Sequence, residues 1–269
     1  MSLSIYFKSH FILPKVKLFS ANRDNTCIVS VVNDSFADYF SIFAQSIKEH
    51  NGYFNYDWII YYGQSKNNQL SAKSMKKMSE AYDNIIFKEI NEEDYKRFEN
   101  LVPSNLFPSL FKLELFRLKQ YSKIVCLDVD TLCLGDISFL FKHDFTFAAT
   151  VSGSDYDKHI AMQNYYNRNH SWNAGIVVYG KNIISDAIYE DLMKTNYYCE
   201  FAEQTILNNY FRYFPKYLLP FNYNFHALFF NEKIESSDVR ILHYAGPKPT
   251  DEPELPQMQY WLKAKQRYL

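Results

Sequence analysis

The sequence predicts an α/β domain whose mixed, mostly parallel sheet is flanked by helices. Three observations carry that expectation. Apolar, β-branched runs alternate with amphipathic stretches through the first half of the 269 residues, the pattern of strand–helix–strand units. Those runs are nearly continuous in apolar residues, as strands buried on both faces are. No linker rich in Gly, Ser or Pro, no internal repeat and no low-complexity tract divides the chain, so one domain is expected.

The elements follow in order. Residues 1–25 are mixed basic and aromatic without a clean period and read as an N-terminal extension. Thr26 to Val32 is the first buried strand. Asn33-Asp34-Ser35 then offers turn and N-cap chemistry for a helix to about His50, with Phe36, Tyr39, Phe40, Phe43, Ala44 and Ile47 at helical spacing. Asp57 to Tyr62 is a second strand, residues 71–82 a helix, and Asn84 to Phe87 a third strand. Pro103 and Pro108 mark a charged loop. Ser109 to Tyr121 reads as an amphipathic helix and Ser122 to Leu127 as a fourth strand. Strands near 145–151, 174–179 and 239–243 and helices near 184–195 and 202–211 complete the domain. Residues 26–255 form this domain, divided near 132, and residues 256–269 form a C-terminal helix.

Composition excludes several functions. The 29 basic and 30 acidic residues leave a formal charge of −1, without the basic excess of a nucleic-acid binder. Only 7 glycines occur, and neither a P-loop nor a G-x-G-x-x-G fingerprint is present. Aromatics reach 18%, enough for a core rich in rings. Cys27, Cys126, Cys133 and Cys199 form no C-x-x-C pair, and four are too few for a disulfide scaffold. Buried thiols in a reducing compartment are expected. Nothing near the start reads as a signal peptide, and no window of about 18 apolar residues exists. The expectation is a cytoplasmic protein.

The chemistry-bearing motif follows the fourth strand. Ile124 to Leu127 ends in Asp128-Val129-Asp130, followed by Thr131. Positions i and i+2 of an extended chain share one face, so both carboxylates can reach one cation. Mg²⁺ and Mn²⁺ prefer such hard oxygens, with substrate phosphates completing the shell. A cation there neutralises a departing diphosphate. Asp155-Tyr156-Asp157 repeats the spacing but has no strand before it.

Four segments in order then resemble glycosyltransferase family 8. Lys112 to Leu134 (KLELFRLKQYSKIVCLDVDTLCL) is similar to its core, and the QYSK stretch is glycogenin-like. Asn173 to Tyr179 resembles the N-[AS]-G motif that opens a strand. Glu203 to Asn208 resembles D-Q-x-x-L-N, and Ile241 to Pro249 resembles H-[FY]-x-G…K-P. The resemblance spans residues 26–250. It implies a GT-A-type fold and retaining transfer of a hexose from a UDP-sugar to a hydroxyl of a saccharide, glycolipid or protein. It further implies Mn²⁺ or Mg²⁺ held by Asp128, Asp130 and His243. Val31, Val32 and Asn33 would hold uridine, with Phe36 stacking. Lys112, Asp128, Val129, Asp130, Gly246 and Lys248 would serve the donor, Gly246 by close backbone approach and Lys248 by its charge. Asn173 would bond sugar hydroxyls. Glu203 and Gln204 would flank the anomeric carbon or the acceptor, and these three with Lys112 form the catalytic set. Residues 26–132 would be the nucleotide-binding half and 133–255 the acceptor half. Three positions depart from the pattern: Glu203 replaces Asp, Lys248 comes one residue early, and Thr250 stands where Trp is common.

Two other readings compete. One is a catalytically silent sugar-nucleotide-binding module. The other is a phosphatase resembling haloacid dehalogenases, but Leu132 stands where that family has Thr or Val and no G-D-x-x-x-D follows. Residues 256–269 interleave Tyr260, Trp261, Leu262 and Tyr268 with Lys263, Lys265 and Arg267. The N-terminal stretch sets Lys8, Lys15 and Lys17 among Phe7, Phe11 and Phe19. Such composition suits peripheral association with the inner face of a membrane, or a terminal helix docked on the domain.

Overall fold

The computed structural model describes residues 25–52, 54–151, 171–227, 239–251 and 253–269. The N-terminal basic stretch and Asp155-Tyr156-Asp157 lie outside them.

A seven-stranded sheet has the order β3-β2-β1-β4-β7-β6-β8. Its strands are β1 (Thr26–Val31), β2 (Asp57–Tyr62), β3 (Ile85–Glu89), β4 (Lys123–Leu127), β6 (Phe147–Val151), β7 (Trp172–Gly180) and β8 (Tyr217–Leu218). The pairs β1–β2, β2–β3, β1–β4 and β6–β8 are parallel, while β4–β7 and β6–β7 are antiparallel. The expected mixed, mostly parallel sheet is therefore present.

Alternation along each strand feeds two cores. Ile28, Trp58, Ile60, Val125, Leu127, Ile176 and Val178 point to one face. Cys27, Val29, Ile59, Ile124, Cys126, Val177 and Tyr179 point to the other. Both faces are covered, which is why these strands read as unbroken apolar runs. The first face packs on α1 (Ala37–Asn51), α2 (Ala72–Ala81) and α6 (Pro256–Tyr268). The second packs on α4 (Asp186–Met193), α5 (Glu203–Tyr210) and the chain between β3 and β4. The four cysteines are free and buried.

Several local expectations need correction. The amphipathic helix expected over 109–121 is instead a 3₁₀ stretch, Ser104–Arg117, with Pro108 inside it. It has no exposed stripe: Leu110, Phe111, Lys112, Leu113, Leu115 and Phe116 are all buried, wedged between the sheet and α4 and α5. The N-cap role assigned to 33–35 also fails, because a 3₁₀ turn, Asp34–Phe36, precedes α1 and offers no side-chain cap. The Asp34 carboxylate instead accepts from the Ser71 N–H and Oγ–H at 2.8 Å each, at the start of α2.

A second, three-stranded sheet was not foreseen. It has the order β5-β10-β9, from β5 (Thr131–Cys133), β9 (Phe225–His226) and β10 (Ile241–His243). Such short strands carry too little pattern to read in isolation. The short helix α3 (Ser138–Lys142) ends against Lys123 of β4, whose Nζ donates to the Phe141 and His143 carbonyls at 2.8 and 2.6 Å. A cation there satisfies carbonyls that the helix leaves orphaned.

The C-terminal helix forms where expected, and its aromatics face inward. Trp261 is 1% exposed, with its ring 4.8 Å from Tyr39, and Met258 and Ala264 are buried beside it. Lys263 and Lys265 remain at the surface, and Arg267 pairs with Glu49 of α1 at 2.9 Å. The ring that would anchor a membrane helix is thus spent on the core. No helix among the described residues is long and apolar enough to cross a membrane. Trp261→Ala should cost about 3–5 kcal/mol, the scale for deleting a buried aromatic, read as a lower midpoint in urea unfolding.

Candidate active site

β1 and β4 run parallel, so their C-terminal ends meet at one edge of the sheet. β7 runs antiparallel to β4, with Leu127 opposite Ile176, so its beginning arrives at that same edge. Asp128 N–H donates to Gly175 O at 2.7 Å. β10 pairs with β5, with His243 opposite Thr131, and Tyr244 N–H donates to Asp130 O at 2.9 Å. Four segments distant in sequence thereby converge.

Ligand-type atoms of Asp128, Asp130 and His243 all lie within 4.8 Å of one another. His243 Nε2 is 3.4 Å from Asp130 Oδ1 and 4.0 Å from Asp128 Oδ2. Two carboxylates and an imidazole are a donor set that fits Mn²⁺ or Mg²⁺. Gly175 makes room for the ring, since a Cβ there would lie 2.3 Å from His243 Cε1.

Two lysines meet the carboxylates. Lys112 Nζ lies 2.6 Å from Asp128 Oδ1 and 2.7 Å from Glu203 Oε1. Burial works against its charge, but Asp128 and Glu203 outweigh it and hold its pKa well above the ordinary value. Burial pushes the Glu203 carboxyl above its usual range, against the pull of Lys112. Lys112 is the more firmly charged of the two, because two carboxylates share its proton-bearing nitrogen. Lys248 Nζ lies 2.6 Å from Asp130 Oδ2 and donates to Tyr244 O at 2.8 Å. Burial alone would raise Asp130; His243 and Lys248 reverse this and hold it well below the carboxylate range.

A cleft of about 520 Å³ opens over these groups. Its lining includes Val31, Asn33, Phe36, Lys112, Asp128, Val129, Asp130, Gly246 and Lys248, all foreseen as donor-binding residues. Lys248 Nζ stands 6.0 Å from the Phe36 ring centroid, a cation beside an aromatic face. Gly246 has φ 102°, a conformation that costs Gly little and other residues more. The lining also includes Asn105, Leu106 and Pro108 from the proline-marked loop and Ser109, the start of the expected helix, none of them foreseen as site residues.

The remaining assignments change. Val32 points away from the cleft: it is 1% exposed, sits in the first core and donates its N–H to Tyr61 O. Strand alternation puts Val31 and Asn33 on the cleft side and Val32 on the other. Glu203 is 4% exposed and does not line the cleft; its carboxylate is taken by Lys112. Gln204 Oε1 accepts from Asn173 Nδ2 at 3.2 Å and Ala174 N–H at 2.9 Å. Asn173 Oδ1 accepts from Gly175 N–H at 2.8 Å. Both amides thus make bonds within the protein, and both residues are half-buried. Asn208 bonds Trp172 through both its amide atoms, so the end of the E-Q-x-x-L-N segment locks α5 onto the start of β7. Asn224, which no motif flagged, bonds His243, Asn173 and Thr150.

Comparison with known proteins identifies the family. The model of glycosyl transferase family 8 matches residues 27–249. The chain belongs to this family. It is 28% identical over 190 residues to glycogenin-1 of Caenorhabditis elegans, covering 66% of this chain and 41% of that protein's length. Among solved structures it is similar to the galactosyltransferase LgtC, solved with donor and acceptor sugar analogues, at a TM-score of 0.64 and 19% identity, covering 90% of this chain and 96% of that one. GlyE, a glycosyltransferase of Streptococcus pneumoniae, gives a TM-score of 0.64 at 18% identity, covering 89% of this chain and 60% of that one. The GT-A-type fold stands on these likenesses. Family membership also removes the haloacid dehalogenase reading of Asp128 and Asp130.

Lys112→Met should destabilise the fold by about 3–5 kcal/mol, because it strands Glu203 and Asp128 without their shared cation. Adding Glu203→Gln to that variant should recover part of the loss, and a double-mutant cycle by urea unfolding measures the coupling.

Proposed function

We propose that the chain transfers a hexose from a UDP-sugar to a hydroxyl acceptor with retention at the anomeric carbon. The observation that carries this reading is the pair Asp128 and Asp130 lining a cleft with Lys248, Gly246 and Phe36, with the His243 imidazole buried beside both carboxylates. Family membership supports the reaction class. A divalent cation bound there supplies charge neutralisation to a departing diphosphate.

The protein's own groups do the rest. Val31, Asn33 and Phe36 at the end of β1 accept the nucleoside. Gly246 brings backbone close to the diphosphate, and Lys248 leaves Asp130 to pair with it. The bond from the anomeric carbon to the phosphate oxygen breaks as the acceptor oxygen bonds from the same face. The departing phosphate oxygen takes the acceptor's proton, so no protein base is required. Lys112 holds Asp128 in place from the cleft floor. Residues 26–132 supply most of the nucleotide contacts, and 133–255 shape the acceptor side. Acceptors of the saccharide, glycolipid or protein class fit a hydroxyl-directed site. The four buried thiols fit a reducing compartment such as the cytoplasm.

A silent sugar-nucleotide-binding module is the competing function. Incubation with UDP-sugars and Mn²⁺ separates the two: a transferase releases UDP, and a silent module does not. Asp130→Asn should abolish metal-dependent UDP binding in calorimetry, and unchanged affinity would refute the metal assignment. Lys248→Ala should weaken UDP binding by about 1–3 kcal/mol, the scale of a lost charged hydrogen bond. A change confined to acceptor affinity would contradict its role.

A further inference from the structure

His243 can present a lone pair to the acidic pair only through the nitrogen that carries no proton. Which nitrogen that is depends on the bond made by the other. Its Nδ1 lies 2.7 Å from Asn224 Oδ1. An amide can flip, so the assignment needs an anchor.

The anchor is backbone. Gly175 N–H can only donate, so the Asn173 atom facing it is an oxygen. Ala174 N–H likewise fixes Gln204 Oε1, which faces Asn173 Nδ2. Both ends of the Asn173 amide are therefore set. Asn173 Oδ1 also lies 2.8 Å from an Asn224 atom, which must be the donor Nδ2. The same Nδ2 reaches Thr150 Oγ1 at 2.9 Å. The register jump in the β6–β7 pairing, from Ala149 opposite Val177 to Thr150 opposite Asn173, brings that hydroxyl in. Asn224 Oδ1 is then left for His243, where an acceptor requires a proton on Nδ1.

We propose that Asn224 is a positioning residue that keeps the proton of His243 on Nδ1, with its own orientation dictated by the backbone N–H groups of Ala174 and Gly175 through Gln204 and Asn173. Asn224 is 5% exposed and lies behind the ring, away from the cleft lining. Nε2 thereby carries the free lone pair, 3.4 Å from Asp130 Oδ1. The N-A-G and E-Q segments act on the cation site through the tautomer of its imidazole.

The consequence for the cation rests on the metal site proposed above; the tautomer does not, so it is read first and without metal. The protein labelled with ¹⁵N-histidine is followed by NMR, free of metal and nucleotide, to a pH at which the His243 ring is neutral. The expected result is a proton on Nδ1 in the unsubstituted protein. Asn224→Leu should mix the tautomers and weaken binding of Mn²⁺ alone, titrated by water-proton relaxation, by at least tenfold. Asn224→Asp keeps an acceptor at Nδ1 and should keep both the tautomer and most of the Mn²⁺ affinity. Its melting temperature should fall, because its second oxygen would face Asn173 Oδ1. A proton on Nε2 in the unsubstituted protein overturns the inference, whether or not the variants fold. So does an unchanged tautomer in Asn224→Leu, or Asn224→Asp behaving no better than Leu. A correct tautomer response with no Mn²⁺ binding in any form would instead strike the metal reading alone.

Discussion

The site is governed by a charge imbalance that the fold itself imposes. Asp128, Asp130 and Glu203 bring three carboxylates to one region; among the described residues Lys112 and Lys248 are the lysines paired with them, with the His243 imidazole beside Asp130. Lys112 and Glu203 have side chains 7% and 5% exposed, so solvent does little to screen that pair. Lys112 is fully engaged by two carboxylates, whereas Lys248 is a quarter exposed and sits at the rim. One cation is therefore structural and the other is free to move. On the function proposed above, a divalent ion held by Asp128, Asp130 and His243 would offset the acids, and Lys248 would be available to the phosphates. The same charges thus hold the floor together and favour the metal-bound nucleotide proposed above.

Strand direction explains why these residues meet. A purely parallel sheet would carry the start of β7 to the opposite edge, far from Asp128. Because β7 is antiparallel to β4, the N-A-G residues that begin β7 lie beside the D-x-D segment that follows β4. Crevices at the carboxyl ends of parallel strands are where α/β sheets bind ligands. Here the antiparallel neighbour adds side chains from its own beginning, and the small second sheet adds His243 from below.

This geometry shows what the sequence could and could not express. The long apolar strands and the D-x-D pair were legible because they are local patterns: period two, buried on both faces, followed by acids. The 104–117 segment was misread because helical spacing of apolar residues assumes one wet face. Here both faces are buried, and the backbone winds as 3₁₀ turns through Pro108. Glu203 and Gln204 were singled out from their motif, but their pairing with Lys112, Asn173 and Ala174 was not, since spacing along a helix does not reveal which cation or amide lies opposite. Val32 was grouped with Val31 and Asn33 although strand alternation separates them. Asn224 carried no signal at all: it follows a short turn in a stretch rich in aromatics, and only its contacts across three segments give it meaning. Tail aromatics that suited a lipid surface suit a protein core equally well, and the packing of Trp261 on Tyr39 decides between them.

Ala202 shows how backbone strain serves the same charge arrangement. Its φ of 43° makes it the one non-glycine residue with positive φ among the described residues, and such a conformation costs about 1–3 kcal/mol. Three hydrogen bonds hold the turn: Cys199 N–H to Leu101 O at 2.7 Å, Ala202 N–H to Cys199 O at 2.9 Å and Phe201 N–H to Thr205 Oγ1 at 3.0 Å. Glycine would relieve the strain, but the Ala202 methyl is fully buried in the second core, so its packing offsets part of the cost. What the turn achieves is direction. Phe201 is left 55% exposed, while Glu203 is turned inward at the first residue of α5. Burial pushes the Glu203 carboxyl above its usual range and Lys112 pulls it back; a position at a helix N-terminus also favours negative charge. Glu203 meets Lys112 there, and Lys112 in turn holds Asp128. The strained alanine thus acts on Asp128, a ligand of the proposed cation, through Glu203 and Lys112.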